Sequence, residues 1–158
     1  MAKFFMVETI HSEKVITARL GQTGAGNGFN DNDAAKPVKL TADSRYELCV
    51  LGDAVEGIVS SVNVGTFDGY AIGGVVTKGF KEVTFDGTQA AGTGALTVGV
   101  YVVVGTPVAR NTALTEPMRV RSATDQAAAK TAPFKARVVA LGSAGTGAVG
   151  TTGLIEIL

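Results

Sequence analysis

The stretch Thr66-Phe67-Asp68-Gly69-Tyr70-Ala71-Ile72-Gly73-Gly74-Val75-Val76-Thr77-Lys78-Gly79-Phe80-Lys81-Glu82-Val83-Thr84-Phe85-Asp86-Gly87 sets the fold class. Its two Thr-Phe-Asp-Gly copies each close a strand-like segment. Asp-Gly suits a turn that needs positive φ, the usual connector of a tight hairpin. Between the copies, 70–77 and 80–85 read as two strands separated by Lys78-Gly79. The alternation of Phe80, Val83 and Phe85 is imperfect, which points to a bulge at Lys81-Glu82. Two copies predict adjacent hairpins, because a solenoid needs three or more units.

Working outward, the same β signature continues in both directions. Upstream, 4–10 and 14–20 read as strands around the polar turn His11-Ser12-Glu13. A Gly/Asn/Asp-rich loop follows over 21–36, then short strands at 37–41 and 46–51, a turn at Gly52-Asp53, and a strand at 55–64. Downstream, 87–109 carries no charge, and its centre, 96–104, is the best candidate for a strand covered on both faces. A loop with Pro107 and Pro117 leads to a short strand at 118–121. The segment 123–130 is the one helix expected, ended by Pro133. Strands at 134–141 and 154–158 flank a glycine-rich uncharged run. Short strands at this spacing predict an all-β protein, a compact antiparallel β-sandwich or barrel of jelly-roll or tulip-like form. At most one short helix and an extended N-terminal segment accompany it. The expected organisation is 1–36 as an arm or hairpin with a flexible loop, and 37–158 as a single β domain.

Composition removes several functions. Fourteen Lys+Arg against fourteen Asp+Glu leave no basic excess, so nucleic acid is not an expected partner. The longest apolar run, 98–104, is broken by Gly99 and falls far short of the ~20 residues of a membrane span. The N-terminus reaches Glu8 before a signal-type apolar region forms, so secretion by that route is not expected. Cys49 is the sole cysteine; it reads as a small buried hydrophobe and excludes an intrachain disulfide.

Catalytic signals are weak. His11 is the sole histidine, in an expected turn, and no Gly-x-Ser-x-Gly elbow is present. Gly145-Thr146-Gly147-Ala148-Val149-Gly150 matches a dinucleotide fingerprint in letters only, since a strand and not a helix is expected after it. Gly24-Ala25-Gly26-Asn27-Gly28 lacks the Gly-Lys-Ser/Thr ending of a phosphate loop. Asn30-Asp31-Asn32-Asp33 offers oxygen ligands for Ca²⁺ but lacks the mid-loop Gly and terminal Glu of an EF-hand, so it reads as a solvated loop. Asp53 and Glu56 flank a turn without an acid–base partner. Neither catalysis, cofactor nor metal is expected.

The informative feature is the absence of charge over 87–109 and 138–155, two stretches built from Gly, Ala, Thr and Val. Solubility ordinarily asks for interspersed charges. One explanation is that part of this surface lies against other subunits; the other is one core strand plus glycine loops.

Four segments together resemble the small capsid decoration (cement) proteins of tailed bacteriophages. They are Gly52-Asp53-Ala54-Val55-Glu56-Gly57-Ile58-Val59, Asp68-Gly69-Tyr70-Ala71-Ile72-Gly73-Gly74-Val75-Val76-Thr77-Lys78-Gly79, Leu96-Thr97-Val98-Gly99-Val100-Tyr101-Val102-Val103-Val104 and Phe134-Lys135-Ala136-Arg137-Val138-Val139-Ala140-Leu141. The resemblance covers roughly residues 50–158 and rests on strand pattern and glycine placement. It implies a non-enzymatic virion protein on the capsid exterior that bridges major capsid subunits and associates with itself, a homotrimer favoured over a dimer. The segment 1–36 is then the candidate arm, with Phe4, Phe5, Phe29, Asn30 and Asn32 as candidate capsid or subunit contacts. The alternative is a carbohydrate- or cell-surface-binding β module on a tail or fibre. Tyr46, Tyr70 and Tyr101 are the only tyrosines it could use, and Trp is absent.

Overall fold

A computed structural model describes residues 13–21, 28–64, 71–88 and 92–158. β-Branched, alternating segments form the strands, as their preference for a half-buried pleated surface requires. In chain order these are β1 (Lys14–Leu20), β2 (Pro37–Leu40), β3 (Tyr46–Leu48), β4 (Gly57–Asn63), β5 (Ala71–Thr88), β6 (Tyr101–Val104), β7 (Arg119–Ser122), β8 (Ala136–Leu141) and β9 (Thr152–Ile157). One helix, α1 (Gln126–Thr131), lies between β7 and β8. Asp125 caps it by accepting from the Ala128 N–H, and Ala132 ends it just before Pro133.

The architecture hangs on β5, whose 18 residues serve two rings of strands. Its first half pairs antiparallel with β1 on one side and β4 on the other. β4 continues to β2 and β2 to β3, and β3 returns to β1 through one parallel pairing, Leu20 with Tyr46. The second half of β5 pairs with β9 and, in parallel, with β7; β7, β6, β8 and β9 then complete a closed five-stranded barrel. Each ring has its own core. Leu20, Phe29, Val38, Val59 and Val75 fill the first. Val76, Phe85, Val104, Val120, Ile155 and others fill the second. At the junction, strand alternation sends neighbours to opposite cores: Val75 and Val59 to the first, Val76 and Ile58 to the second. Two cores are thus tied by backbone as well as by packing.

The all-β class with one short helix holds, and four expectations change. Lys78-Gly79 does not turn the chain. Gly79 takes φ +142, a conformation other residues rarely adopt, and the strand passes straight through the junction of the two rings. Asp86-Gly87 is not a hairpin turn either. Gly87 (φ +83) sits in a bulge near the end of β5, opposite β7. Its upstream twin, Asp68-Gly69, lies outside the described residues. Of 96–104, only Tyr101–Val104 is strand, and it alternates half-buried and buried rather than being covered on both faces. Thr97–Val100 turns instead, with Gly99 at φ +91. The described part of the expected N-terminal segment 1–36 packs with the rest of the chain. β1 is bonded along its length to β5, and Leu20 and Phe29 share a core with Val38 and Tyr46. Two parallel pairings, β1–β3 and β5–β7, also depart from a purely antiparallel sheet.

Candidate interaction surface

The segment Asn30-Asp31-Asn32-Asp33 folds as a single 3-10 turn closed by a reciprocal capping box. The Asn30 side chain accepts from the Asn32 N–H at 2.9 Å, and Asp33 accepts from the Asn30 N–H at 3.0 Å. Local capping thus uses Asn30 Oδ1 and Asp33 Oδ2. Among the described residues no group of three or more His, Cys, Asp or Glu side chains is placed to hold a metal.

Asp33 is fully buried and Lys36 is 2% exposed, so each charge needs its partner. Lys36 Nζ donates to Asp33 Oδ1 and to the Ala109 carbonyl, both at 2.7 Å. Asp33 Oδ1 also accepts from the Asn111 N–H at 2.8 Å, and Asn32 Nδ2 donates to the Asn111 carbonyl at 3.1 Å. This network ties the loop 105–117, which joins β6 to β7 of the second ring, onto the first ring.

Facing that loop is the turn between β3 and β4. Asp53 folds it by accepting from the Val50 N–H at 2.8 Å. The turn docks on β6 through Gly52 N–H to the Val104 carbonyl and Val104 N–H to the Asp53 carbonyl, both 2.9 Å. Lys39 Nζ pairs with Asp53 at 2.8 Å, and that hydrogen bond holds the lysine pKa above its usual value against the effect of burial. Glu56 accepts from the Leu40 N–H at 2.9 Å. Asp53 and Glu56 are therefore structural, as the turn reading anticipates.

Between turn and loop runs an open groove of about 550 Å³ lined by Leu48, Cys49, Val50, Pro107, Val108, Ala109 and Arg110. It is a shallow depression open to solvent, with a mostly apolar lining. Val50 is 55% exposed, and Leu51 and Val108 are also exposed. Cys49 is buried, and that burial pushes its thiol pKa far up, so it is an inert part of the floor. A narrow space of about 20 Å³ continues under Pro107 and Val108 toward Leu114 and Met118.

A second polar cluster closes the end of β5. Asp86, 5% exposed, accepts from Thr106 N–H and Oγ1 at 2.8 Å each, from Arg119 Nη1 at 2.9 Å and from Arg121 Nε at 2.9 Å. Burial alone would raise the carboxyl pKa; Thr106 and the two guanidiniums outweigh it and bring it down to about 2. Four donors converge on this one carboxylate, so the cluster braces the end of β5 against β7 and the following loop.

The two charge-free stretches converge. The Leu96 N–H donates to the Gly147 carbonyl at 2.9 Å, and a Cβ on Gly147 would lie 1.8 Å from the Leu96 carbonyl oxygen. Positions 93–95, 97–99, 143–146 and 148–150 around this contact are exposed, and none is charged. Val98 and Val149 stand out from it at 59% and 45% exposure.

Of the sequence-derived contact residues, Asn30 and Asn32 lie in the turn that holds the loop flanking the groove. Phe29 is 2% exposed in the first core, so its ring is not a surface contact. Its position in an apolar–polar boundary concealed a core role. Phe4, Phe5 and His11 lie outside the described residues, as does Tyr70. Tyr46 is buried, whereas Tyr101 is half-buried at the start of β6, its backbone held by the Gln126 amide. Sequence reasoning missed Val50, Leu51, Val108 and Arg110. The signal available was two large apolar residues directly before the Gly52-Asp53 turn.

No protein-family model, curated protein or solved structure matches the chain.

Proposed function

We propose that the chain is a virion structural protein that binds the outside of an assembled phage head and stabilises it by bridging major capsid subunits. Self-association, as a trimer in preference to a dimer, gives it several attachment points. The observation that carries this reading is the convergence of the two charge-free stretches into one exposed, uncharged face. Surfaces that stay in water ordinarily carry about 25–35% charged residues; interface centres are depleted of them. The decoration-protein resemblance of residues 50–158 points the same way.

The mechanism is mass-action linkage. A protein that binds the assembled lattice and not its separated subunits stabilises the lattice by RT ln(1+[L]/Kd), about 2.7 kcal/mol per site at a hundredfold excess over Kd. An oligomer engaging several sites multiplies residence without new chemistry. The test is light-scattering mass of the purified chain, followed by co-sedimentation with expanded and unexpanded heads of the phage that encodes it. An oligomer that pellets with expanded heads supports the reading. A monomer that ignores both kinds of head ends it.

A further inference from the structure

We propose that the groove between the β3–β4 turn and the loop 105–117 is a docking site for an extended segment of a partner protein in which an apolar side chain sits one or two residues from a carboxylate. The apolar half of the match is the exposed pair Val50 and Val108 over a floor of Leu48, Cys49 and Pro107. The space of about 20 Å³ beneath Pro107 and Val108 leaves that part of the floor incompletely filled, room for a methyl-sized intrusion.

The polar half is Arg110, at the groove's edge. Gly28 makes its placement possible: a Cβ there would lie 2.2 Å from Arg110 Nη1. Nη1 is enclosed without an acceptor, and Arg110 forms no ion pair or hydrogen bond among the described residues. The flanking carboxylates are spoken for, Asp33 by Lys36 and Asp53 by Lys39. A guanidinium with no acidic partner among the described residues, beside an apolar groove, favours a carboxylate over an ammonium group through its charge. A basic segment is repelled at the same place. Both walls are fixed by bonds to both rings, so the cleft exists before the partner arrives and binding orders little of this chain.

The proposal rests on the head-binding reading only for where such a segment comes from. Its first test therefore omits heads. Isotope-labelled protein is titrated with the blocked peptide Ac-Ala-Leu-Ala-Asp-Ala-NH2 and with its Lys-for-Asp counterpart, following backbone amide shifts. The expected result is shifts centred on Val50, Val108 and Arg110 with the Asp peptide, about tenfold weaker binding in Arg110→Gln, and none with the Lys peptide. Val108→Asp, at an already exposed position, serves as a second variant should Arg110→Gln lower the melting temperature. Equal affinity for both peptides, or shifts confined to other faces, overturns the proposal. The second test is head co-sedimentation. Loss in Val108→Asp and Arg110→Gln, with Phe134→Ser unaffected, supports it. Wild-type-like pelleting of both groove variants overturns it and leaves head binding intact. Groove-specific peptide binding by a protein that ignores heads supports the groove and removes the head reading.

Discussion

Asp86 shows how much one side chain can hold in this molecule. Its carboxylate, almost fully buried, joins the end of β5 to β7 through Arg119 and Arg121 and to the following loop through Thr106. Asp86→Asn removes the charge and leaves two arginines facing a neutral amide, at an expected cost of about 2–3 kcal/mol in urea denaturation. The pH dependence has a definite sign. The folded pKa, about 2, is below the unbound value of 3.8, so the carboxylate's stabilisation is complete above pH 3.8 and fades as pH falls toward 2. Wild type and Asp86→Asn should therefore differ at pH 6 and converge near pH 2. A gap that persists at pH 2 would place the effect elsewhere. Asp33 and Lys36 behave differently because both are sealed from water. Asp33→Ala strands a buried ammonium, about 3–5 kcal/mol, whereas the double variant Asp33→Ala with Lys36→Met loses less than Asp33→Ala alone. Neither role is legible in sequence. Asp86 reads as half of an Asp-Gly turn because its arginine partners lie 33 and 35 positions downstream, and Asp33 reads as a solvated loop residue because the Ala109 and Asn111 groups that close its network with Lys36 are 73 and 78 positions from their partners.

Strands were legible where alternation met a clear stop. β1 lies where its pattern predicts, β2 and α1 nearly so. β5 was not, because Gly79 is as good a residue for passing through a sheet junction at positive φ as for turning out of one. Local chemistry does not distinguish those uses; pairing with β1, β4, β7 and β9 does. Gly79→Ala is expected to destabilise by about 1–3 kcal/mol through backbone strain, measured by thermal denaturation. Gly73 serves closeness rather than conformation. A Cβ there would lie 2.1 Å from the Ser61 carbonyl oxygen of β4, beside the register shift between Val59 and Ser61. Gly73→Ala therefore has to push two backbones apart, and hydrogen-exchange protection should fall first along β4 and the first half of β5. The uncharged run 96–104 was misjudged for a related reason. Lack of charge signals that a segment avoids charge, not that it is a strand, and Gly99 at φ +91 turns the first half of it.

At the scale of the whole molecule, the all-β class follows from composition and turn spacing alone, while the pairing of two rings on one strand does not. The candidate surface was partly legible. The charge-free stretches were visible in the sequence, but their meeting at Leu96 and Gly147 depends on the barrel, and the groove depends on a turn and a loop far apart in the chain. Because consecutive residues of β4 and β5 enter opposite cores, neither ring can lose its packing without exposing the other. Denaturation followed by far-ultraviolet circular dichroism and by tyrosine fluorescence should give one coincident transition; two separated transitions would show that the rings melt independently. β5 also has a mechanical consequence. A pull applied to one ring passes to the other along a single run of covalent backbone clamped by strands on both sides, so the two halves move as one rod instead of sliding at a soft seam.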